Sequence, residues 1–374
     1  MQFRDLGAQY KTLKPEIDAA IRDVIDSSAF ILGKPVTELE NKLAAYVRRK
    51  HCVAVANGTE ALQLALMAWE IGPGDAVFTS DFTYFASAGC ASIIGATPVL
   101  VDIDLATFNI SPEALETEIK RVLAEGKLKP KAIIPVDLFG LPADYTKILP
   151  IAKKYGLKVL EDAAQGFGGR IRDQIACSFG DASATSFFPA KPLGCYGDGG
   201  AIFTDDDEMD TRLRSLRAGG RSPEDKYDNR EIGMNSRLDT LQAAILLPKF
   251  KAFVDYELDA VNQVAKWYNS RLKGSFVTPV VPKRFLSSWA QYTILLPNRI
   301  ERDAMQQRLK EKGIPSMVYY PRGLHQQAAY EWMELTDEPF PNTLEATNRV
   351  LSLPMHPYLT EDLVDIIVKV LLEK

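Results

Sequence analysis

The sequence predicts an α/β protein in which a mostly parallel sheet is covered by helices on both faces. From about residue 50 onward, short runs rich in β-branched residues alternate with longer segments of helical periodicity. The short runs are continuously rather than alternately apolar, as in strands that are buried on both faces. A chain of 374 residues also exceeds the usual size of a single hydrophobic core. We therefore expect a large domain over residues 1–250 and a smaller α+β domain over residues 251–374.

The predicted elements of the large domain follow in chain order. The predicted strands are CVAVAN, AVFTS, TPVLVDID, KAIIPVDLFG, LKVLEDAA, SATSFF and AIFTDD. The predicted helices between them are TEALQLALMAW, SPEALETEIKRVLAEG and DYTKILPIAKKYG. Thr59 is the expected N-cap of the first helix, and GPGD is the turn before the second strand. Because parallel strands end at one edge of a sheet, we expect functional groups to gather there.

The pattern changes toward helix after residue 206. Residues 238–274 form one long predicted helical stretch, with a bend expected near Pro248. Two strand-like pieces, AQYTILLP and SMVYY, lie on either side of the helix ERDAMQQRLKEKG, and EDLVDIIVKVLLEK closes the chain as a helix. This mixture is typical of a small α+β domain.

Composition excludes several classes of protein. With 46% hydrophobic and 25% charged residues the chain resembles an ordinary globular protein, and its net charge of −5 argues against a nucleic-acid or anionic-membrane partner. The four cysteines are scattered, and no histidine stands at metal-ligand spacing, so neither a disulfide scaffold nor a metal site is expected. The N-terminal sequence lacks the apolar stretch of a signal peptide, and no membrane-spanning run is present. We expect a cytoplasmic protein.

Two features at predicted strand ends carry candidate binding chemistry. The first is Asn57-Gly58-Thr59, where glycine lets the backbone approach a ligand and a helix start favours phosphate; a plain N-cap turn is the alternative. The second is Asp162 in KVLEDAAQ, a carboxylate that can pair with a cationic ring nitrogen, with Gln165 within reach of a neighbouring ring oxygen. For Asp162 the alternative is a carboxylate that caps the next helix.

Two further features complete the set. Lys191 lies between two prolines, and a desolvated lysine can act as a Schiff-base nucleophile, with Ser186 on the preceding strand end as a phosphate ligand. A surface lysine in a Pro/Gly turn is the alternative. Phe82 or Tyr84 in DFTYFAS can stack on a planar ring or belong to the core, and spacing does not decide between them. Together these features supply the phosphate donors, stacking ring, acid and lysine that pyridoxal phosphate requires.

The whole chain resembles the sugar-nucleotide aminotransferases of the DegT/DnrJ family, which are fold-type I pyridoxal-phosphate enzymes. The resemblance is carried by ANGTEAL, GPGD, TPVLVDID, EDAAQGFG, SFFPAKPLGCYGDGGAIFT, GMNSRLDTLQAAILLPK and SLPMHPYL. EDAAQ, followed about thirty residues later by the lysine motif, is specific to this family. The resemblance implies that the large domain binds pyridoxal 5'-phosphate.

The resemblance also implies a role for each candidate residue. Lys191 would carry the cofactor as a Schiff base and Asp162 would face the pyridine nitrogen, both as catalytic residues. The remaining cofactor contacts would be Gln165 at the ring hydroxyl, Tyr84 stacked on the ring, and Gly58, Thr59 and Ser186 at the phosphate. Asn235 of the NSRL motif would reach the phosphate of the neighbouring subunit, which implies a homodimer with shared active sites.

The implied reaction transfers an amino group from L-glutamate to a keto-sugar nucleotide. FFPAKPLGCYGDGGAIFT and SLPMHPYL are most similar to transaminases of UDP-linked 3-keto-hexuronic acids, which serve surface polysaccharide synthesis. The alternatives are a 4-keto-6-deoxy or dTDP-linked acceptor, and a non-catalytic regulatory homologue that binds the cofactor. The candidate substrate contacts are Arg237, Tyr319, Tyr320 and His325, with Arg217, Arg221 and Arg322 as further cations for the nucleotide.

Overall fold

The computed structural model describes residues 1–222, 224, 225 and 227–373. Its α-helices are α1 (Leu6–Ser27), α2 (Lys34–Val47), α3 (Gly58–Ala68), α4 (Ala86–Ile93), α5 (Pro112–Glu125), α6 (Tyr145–Tyr155), α7 (Asp207–Leu216), α8 (Thr240–Ala252), α9 (Leu258–Leu272), α10 (Arg299–Glu311), α11 (Pro341–Arg349) and α12 (Glu361–Leu372). A π-helical turn, Phe253–Glu257, joins α8 to α9. None of the helices in the described ranges is long and apolar enough to cross a membrane.

The strands form three sheets. They are β1 (His51–Val55), β2 (Asp75–Ser80), β3 (Thr97–Val101), β4 (Lys129–Ile134), β5 (Lys158–Asp162), β6 (Arg170–Ile171), β7 (Gln174–Ile175), β8 (Ala182–Ser186), β9 (Gly200–Thr204), β10 (Phe285–Leu286), β11 (Tyr292–Leu295) and β12 (Val350–Leu353). The main sheet has seven strands in the order β1-β9-β8-β5-β4-β2-β3, with β9 antiparallel to both neighbours. Six of its strands therefore end at one edge beside the beginning of β9, and functional groups are expected at this edge.

Apolar cores cover the main sheet on both faces. Val77 of β2 packs with α3, α4 and α7, whereas the next residue, Phe78, packs with α5 and α6 on the opposite face. This explains the continuous apolar runs within the strands, since both side-chain directions are buried. Burying a side chain such as Phe78 contributes roughly 1.5–3 kcal/mol. The predicted parallel sheet with helices on both faces is confirmed.

A third core joins the N-terminal helices to the C-terminal part of the chain. Side chains of α2 and α8 share this core with α9, α12 and the β11–β12 sheet. Helical structure is continuous from α8 through the π-helical turn into α9, so residue 250 lies inside a helical run. The division into domains 1–250 and 251–374 stays a prediction.

Three local predictions were wrong. The N-cap of α3 is Asn57 and not Thr59, because the Asn57 side chain accepts a hydrogen bond from the Glu60 N–H at 2.8 Å. The segment SMVYY is not a strand; Met317 makes one bridge to Ser352, and β12 takes the place beside β11. Helix α8 continues through Pro248, and the irregular turn follows it at Phe253–Glu257.

Candidate active site

The ends of β1, β5 and β8 bring three of the predicted groups to one edge of the main sheet. Asp162 is the last residue of β5 and Ser186 is the last residue of β8. Gly58 opens α3 shortly after β1. Lys191 follows β8 in the loop that returns the chain to β9. The sequence pattern placed each of these groups correctly relative to its strand or helix.

Asp162 is a buried carboxylate that lacks a cationic hydrogen-bond partner among the described residues. Its Oδ2 accepts from the Ser87 hydroxyl at 2.7 Å and its Oδ1 from the Ala164 N–H at 3.1 Å. Burial raises the pKa of Asp162, while Ser87, Ala164 and the Lys191 charge act in the opposite direction. A cationic ring nitrogen placed here would favour the ionised carboxylate. The site therefore fits the pyridine nitrogen of the implied cofactor.

Lys191 is half-buried, and its surroundings favour the neutral amine. Burial lowers the pKa of Lys191; the Asp162 carboxylate opposes this shift, and the Arg4 guanidinium adds to it. A neutral amine is the form that attacks a carbonyl carbon. Sequence reasoning missed Arg4, which is distant from Lys191 in the chain.

Gly58 and Ser186 lie in direct contact, as a shared phosphate site requires. A Cβ added at Gly58 would lie 2.7 Å from the Ser186 Cβ, a separation that real side chains do not reach. Only glycine fits here, and it exposes the first turn of α3 at the strand end. The N–H groups of a first helical turn and a serine hydroxyl form a typical phosphate cradle. Gly58, Thr59 and Ser186 fit the phosphate of the cofactor.

Gln165 is buried with a defined amide orientation. Its Oε1 accepts from the Phe139 N–H at 2.8 Å, so its Nε2 is the donor, and it bonds the Tyr320 hydroxyl at 3.1 Å. Phe139 adopts a left-handed backbone conformation with φ of 58°, which costs free energy for residues other than glycine. The contact brings Tyr320, a predicted substrate contact, beside a predicted cofactor contact.

Residues 11–372 match the sequence profile of the DegT/DnrJ/EryC1/StrS aminotransferase family. The chain belongs to this family. Its relatives include a UDP-2-acetamido-2-deoxy-3-oxo-D-glucuronate aminotransferase from Pseudomonas aeruginosa, which is 45% identical over 96% of both chains. A pleiotropic regulatory protein from Geobacillus stearothermophilus is 43% identical over 96% of this chain and 94% of its own. The predicted family and enzyme class are confirmed.

The structural comparison agrees with this assignment. A solved DegT/DnrJ/EryC1/StrS aminotransferase from Brucella abortus is similar to this structure with a TM-score of 0.96. The two are 47% identical in sequence, and the similarity covers 99% of this chain and 98% of the other. The predicted fold-type I architecture of the aminotransferase is confirmed.

The two aromatic candidates of this aminotransferase occupy different environments. Phe82 is fully buried and packs edge-on against Phe139 and Tyr320 in the core. Tyr84 is 59% exposed, so its ring can accept a stacked ligand. The structure thus assigns Phe82 to packing, and Tyr84 remains the predicted stacking residue. Tyr319 packs edge-on against Phe3 and lies beside Tyr320.

His325 is held between two carboxylates. Its Nδ1 lies 2.6 Å from Asp81 Oδ2, its Nε2 lies 2.9 Å from Asp337 Oδ1, and its ring stacks on Phe340. Burial opposes the protonated ring, but the two carboxylates outweigh it and raise the pKa of His325. Because both nitrogens are engaged, His325 ties the end of β2 to the segment that follows Tyr320. Its contact with substrate stays a prediction.

The predicted arginines and Asn235 separate into two groups. Arg217 is buried and donates to Glu40 and to the Ala54 carbonyl, both at 2.7 Å, so its charge is already neutralised. Asn235, Arg237 and Arg221 instead line an open cavity of about 610 Å³, together with Ala218, Gly219, Tyr227 and Asn229. No hydrogen bond between described residues links Asn235 or Arg237 to Lys191. Arg322 is exposed. The roles of Asn235 and Arg237 remain predictions.

Beneath the site lies a buried carboxyl pair that the sequence did not reveal. Glu161, adjacent to Asp162, accepts from Ser183 and from two backbone N–H groups. Asp137 Oδ1 accepts from Tyr145 and Ala143, and the Asp137 carboxyl also forms a hydrogen bond with the Glu161 side chain. Burial raises the pKa of Asp137 well above its usual range, and the Glu161 charge adds to the shift. Asp137 is therefore the protonated member of the pair.

We expect Asp137→Asn to stabilise the protein at neutral pH. The pKa of Asp137 is higher in the folded state than in the unfolded state. The free energy of unfolding therefore falls as the pH rises above about 4, the unfolded value. Asparagine keeps the acceptor for Tyr145 and supplies an N–H that never ionises. The gain should be on the order of 1 kcal/mol near pH 7 and should vanish near pH 4. Thermal unfolding from pH 4 to 8 measures it, with the exposed Asp173→Asn as the control. A variant that loses stability at pH 8 contradicts the protonated assignment.

Proposed function

We propose that the chain is a cytoplasmic, pyridoxal-phosphate-dependent aminotransferase that transfers an amino group from L-glutamate to a UDP-linked 3-keto-hexuronic acid. The product would be an amino-sugar nucleotide for surface polysaccharide synthesis. The observation that carries the proposal is the buried Asp162 carboxylate acting on the half-buried Lys191 amine, beside the Gly58–Ser186 contact. The acceptor is supported by the name of the Pseudomonas aeruginosa relative.

Different residues of the site would contact different parts of the cofactor. Gly58, Thr59 and Ser186 would hold the phosphate, and Asp162 would keep the ring nitrogen protonated. Gln165 donates toward the ring hydroxyl from its Nε2, which now bonds Tyr320. Tyr84 stacks on the ring. When bound, the cofactor supplies an electron sink for the substrate carbon that loses or gains its proton.

Lys191 has two successive roles in this proposal. Its amine would hold the cofactor covalently until the amino donor takes that place. The freed amine then moves a proton to or from the substrate carbon as the general base and acid. Burial and the Arg4 charge lower the pKa of Lys191, which favours the neutral amine that this proton transfer requires.

A second copy of the chain completes the site in our proposal. Asn235 is exposed and lines the open cavity with Arg237, as expected for side chains that serve a neighbouring subunit. The apolar side chains of residues 30–32, which are 43–48% exposed, form a surface that association would bury. In the dimer Asn235 contacts the partner's phosphate site and Arg237 contacts the anionic substrate.

The keto-sugar nucleotide, which accepts the amino group, must bind next to the cofactor. Tyr320, whose hydroxyl accepts from Gln165, and its neighbour Tyr319 would offer their hydroxyl groups to the acceptor. His325 is the remaining candidate contact for the acceptor, and Asp81 at the end of β2 holds its ring in place. A dTDP-linked or 4-keto-6-deoxy sugar is the alternative acceptor. The regulatory alternative has support in the name of the Geobacillus relative.

The deciding experiment is an absorbance spectrum of the cofactor-loaded protein before and after addition of L-glutamate. We expect the visible band to disappear as 2-oxoglutarate forms in equal amount. A panel of 3-keto and 4-keto sugars linked to UDP or dTDP should then restore the band, fastest for the UDP-linked 3-keto-hexuronic acid. A protein that stays colourless with pyridoxal phosphate would overturn the cofactor assignment. A coloured protein that reacts with neither glutamate nor any keto sugar would favour the regulatory alternative.

A further inference from the structure

The N-terminal segment reaches the lysine loop through one side chain. Arg4 Nη2 donates to the Lys191 carbonyl at 2.7 Å and to the Pro192 carbonyl at 3.2 Å. Among the described residues no other group donates to these two carbonyls. Arg4 lies 187 positions before Lys191, so sequence spacing gives no sign of the contact.

The loop needs a donor from outside because its own backbone supplies few. Pro189 and Pro192 have no N–H groups, so they cannot bond the carbonyls around Lys191. The Lys191 N–H bonds the Phe188 carbonyl at 2.9 Å, and the Cys195 N–H bonds the Phe187 carbonyl at 2.8 Å. These bonds close the two flanks of the loop. They leave its apex to be fixed by Arg4.

The segment that carries Arg4 is itself anchored on both sides. The following residue, Asp5, caps α1 by accepting from the Ala8 N–H at 2.8 Å. The preceding residue, Phe3, accepts from the Met355 N–H at 3.1 Å and packs edge-on against Tyr319. The backbone of Arg4 is therefore held between α1 and the segments that contain Met355 and Tyr319, which keeps its guanidinium within reach of the loop.

The charge of Arg4 faces other titratable groups in the same interior. Lys249 is 1% exposed, and its Nζ has no hydrogen-bond partner among the described residues. Glu257 is the acid of the cluster, but it accepts from Gln9 and Tyr358. Burial lowers the pKa of Arg4 to about 10, with Glu257 opposing the shift, so Arg4 is still a cation at neutral pH.

We propose that Arg4 is a positioning residue for Lys191: it fixes the loop apex through two carbonyls and places a buried positive charge beside the amine. The proposal rests on the function assigned above to Lys191. Two consequences follow and can be separated. The bonds determine where the amine lies, and the charge determines how readily it holds a proton. Lysine keeps the charge but not the planar fork of arginine, whereas methionine keeps neither.

The test compares Arg4→Met, Arg4→Lys and a control, Arg22→Met, which removes an exposed arginine of α1. The first measurement is amide hydrogen exchange of residues 187–199 in the cofactor-free proteins. The second is the pH titration of the visible band after loading with pyridoxal phosphate, and the third is kcat and KM. Circular dichroism melts show that each variant is folded. If Arg4→Met does not fold, Arg4→Lys decides the outcome through loop exchange.

We expect Arg4→Met to speed exchange in residues 187–199 and to lower kcat about 10-fold, with KM for the sugar nearly unchanged. Its titration midpoint should move to higher pH, because a cation no longer opposes protonation at Lys191. Arg4→Lys should speed exchange but keep the midpoint of the native enzyme. Unchanged exchange in both variants would overturn the proposal. If the native protein itself shows no visible band, the function of Lys191 fails, yet the exchange result still tests the contact.

Discussion

Replacing Lys191 by alanine is expected to abolish transamination, with kcat falling by about 10⁴-fold or more. The substitution removes both the covalent attachment of the cofactor and the general base, and the latter alone contributes roughly 10²–10⁴-fold. The fold should survive, since Arg4 bonds the backbone carbonyls and not the amine. The half-buried Lys191 side chain also lies outside the hydrophobic cores of the described residues.

The measurement combines single-turnover kinetics with spectra of the loaded protein. Lys191→Ala should lack the absorbance of the native lysine–cofactor linkage at every pH, and small primary amines should restore part of the proton transfer. Lys127→Ala, which removes an exposed lysine outside the site, should behave as the native enzyme. A Lys191→Ala protein that keeps a tenth of the native kcat would show that another group carries the cofactor. Lys249, the buried lysine of α8, would then be the residue to examine.

The sequence predicted the sheet edge well because the relevant signals are local. A strand that is buried on both faces carries a continuous apolar run, so the end of the run KVL, just before Glu161 and Asp162, is visible in the sequence. Gly58 was also informative, because the backbone at this position approaches Ser186 too closely for any side chain. The choice of Thr59 over Asn57 as N-cap failed because both residue types cap helices well, and only the backbone path decides between them.

The missed residues act across long separations in the chain. Ser87 lies 75 positions from Asp162, and Arg4 lies further still from Lys191. A serine or arginine of this kind has no periodicity or spacing that marks it. The pairing of Arg217 was missed for a related reason, because its partner is a buried acid, Glu40, that is distant in the chain. Spacing along the chain does not show which charge is already paired.

Replacing Asp162 by asparagine is the second change expected to have a large effect. The amide keeps the size of the side chain and can still accept from Ser87, but it cannot balance the charge of a protonated ring nitrogen. Two charges about 4 Å apart interact by roughly 4 kcal/mol at an effective dielectric constant of about 20. Losing that interaction in the transition state corresponds to a fall of about 10³-fold in kcat. Stopped-flow kinetics with L-glutamate measures it, while cofactor binding weakens much less.

Ser87→Ala is the matched variant, because it leaves the Asp162 charge in place and removes one hydrogen bond. Burial raises the pKa of Asp162 and the Ser87 hydroxyl counteracts this rise, so its loss should raise the pKa further. The reaction needs the ionised carboxylate, and the acid limb of the kcat profile should therefore move to higher pH, with kcat near neutrality lowered by less than about 10-fold. Asp162→Asn should lack this limb altogether. If the two variants lose kcat equally and their pH profiles do not change, Asp162 and Ser87 act by packing. The Asp162 carboxylate would then not be what keeps the ring nitrogen protonated.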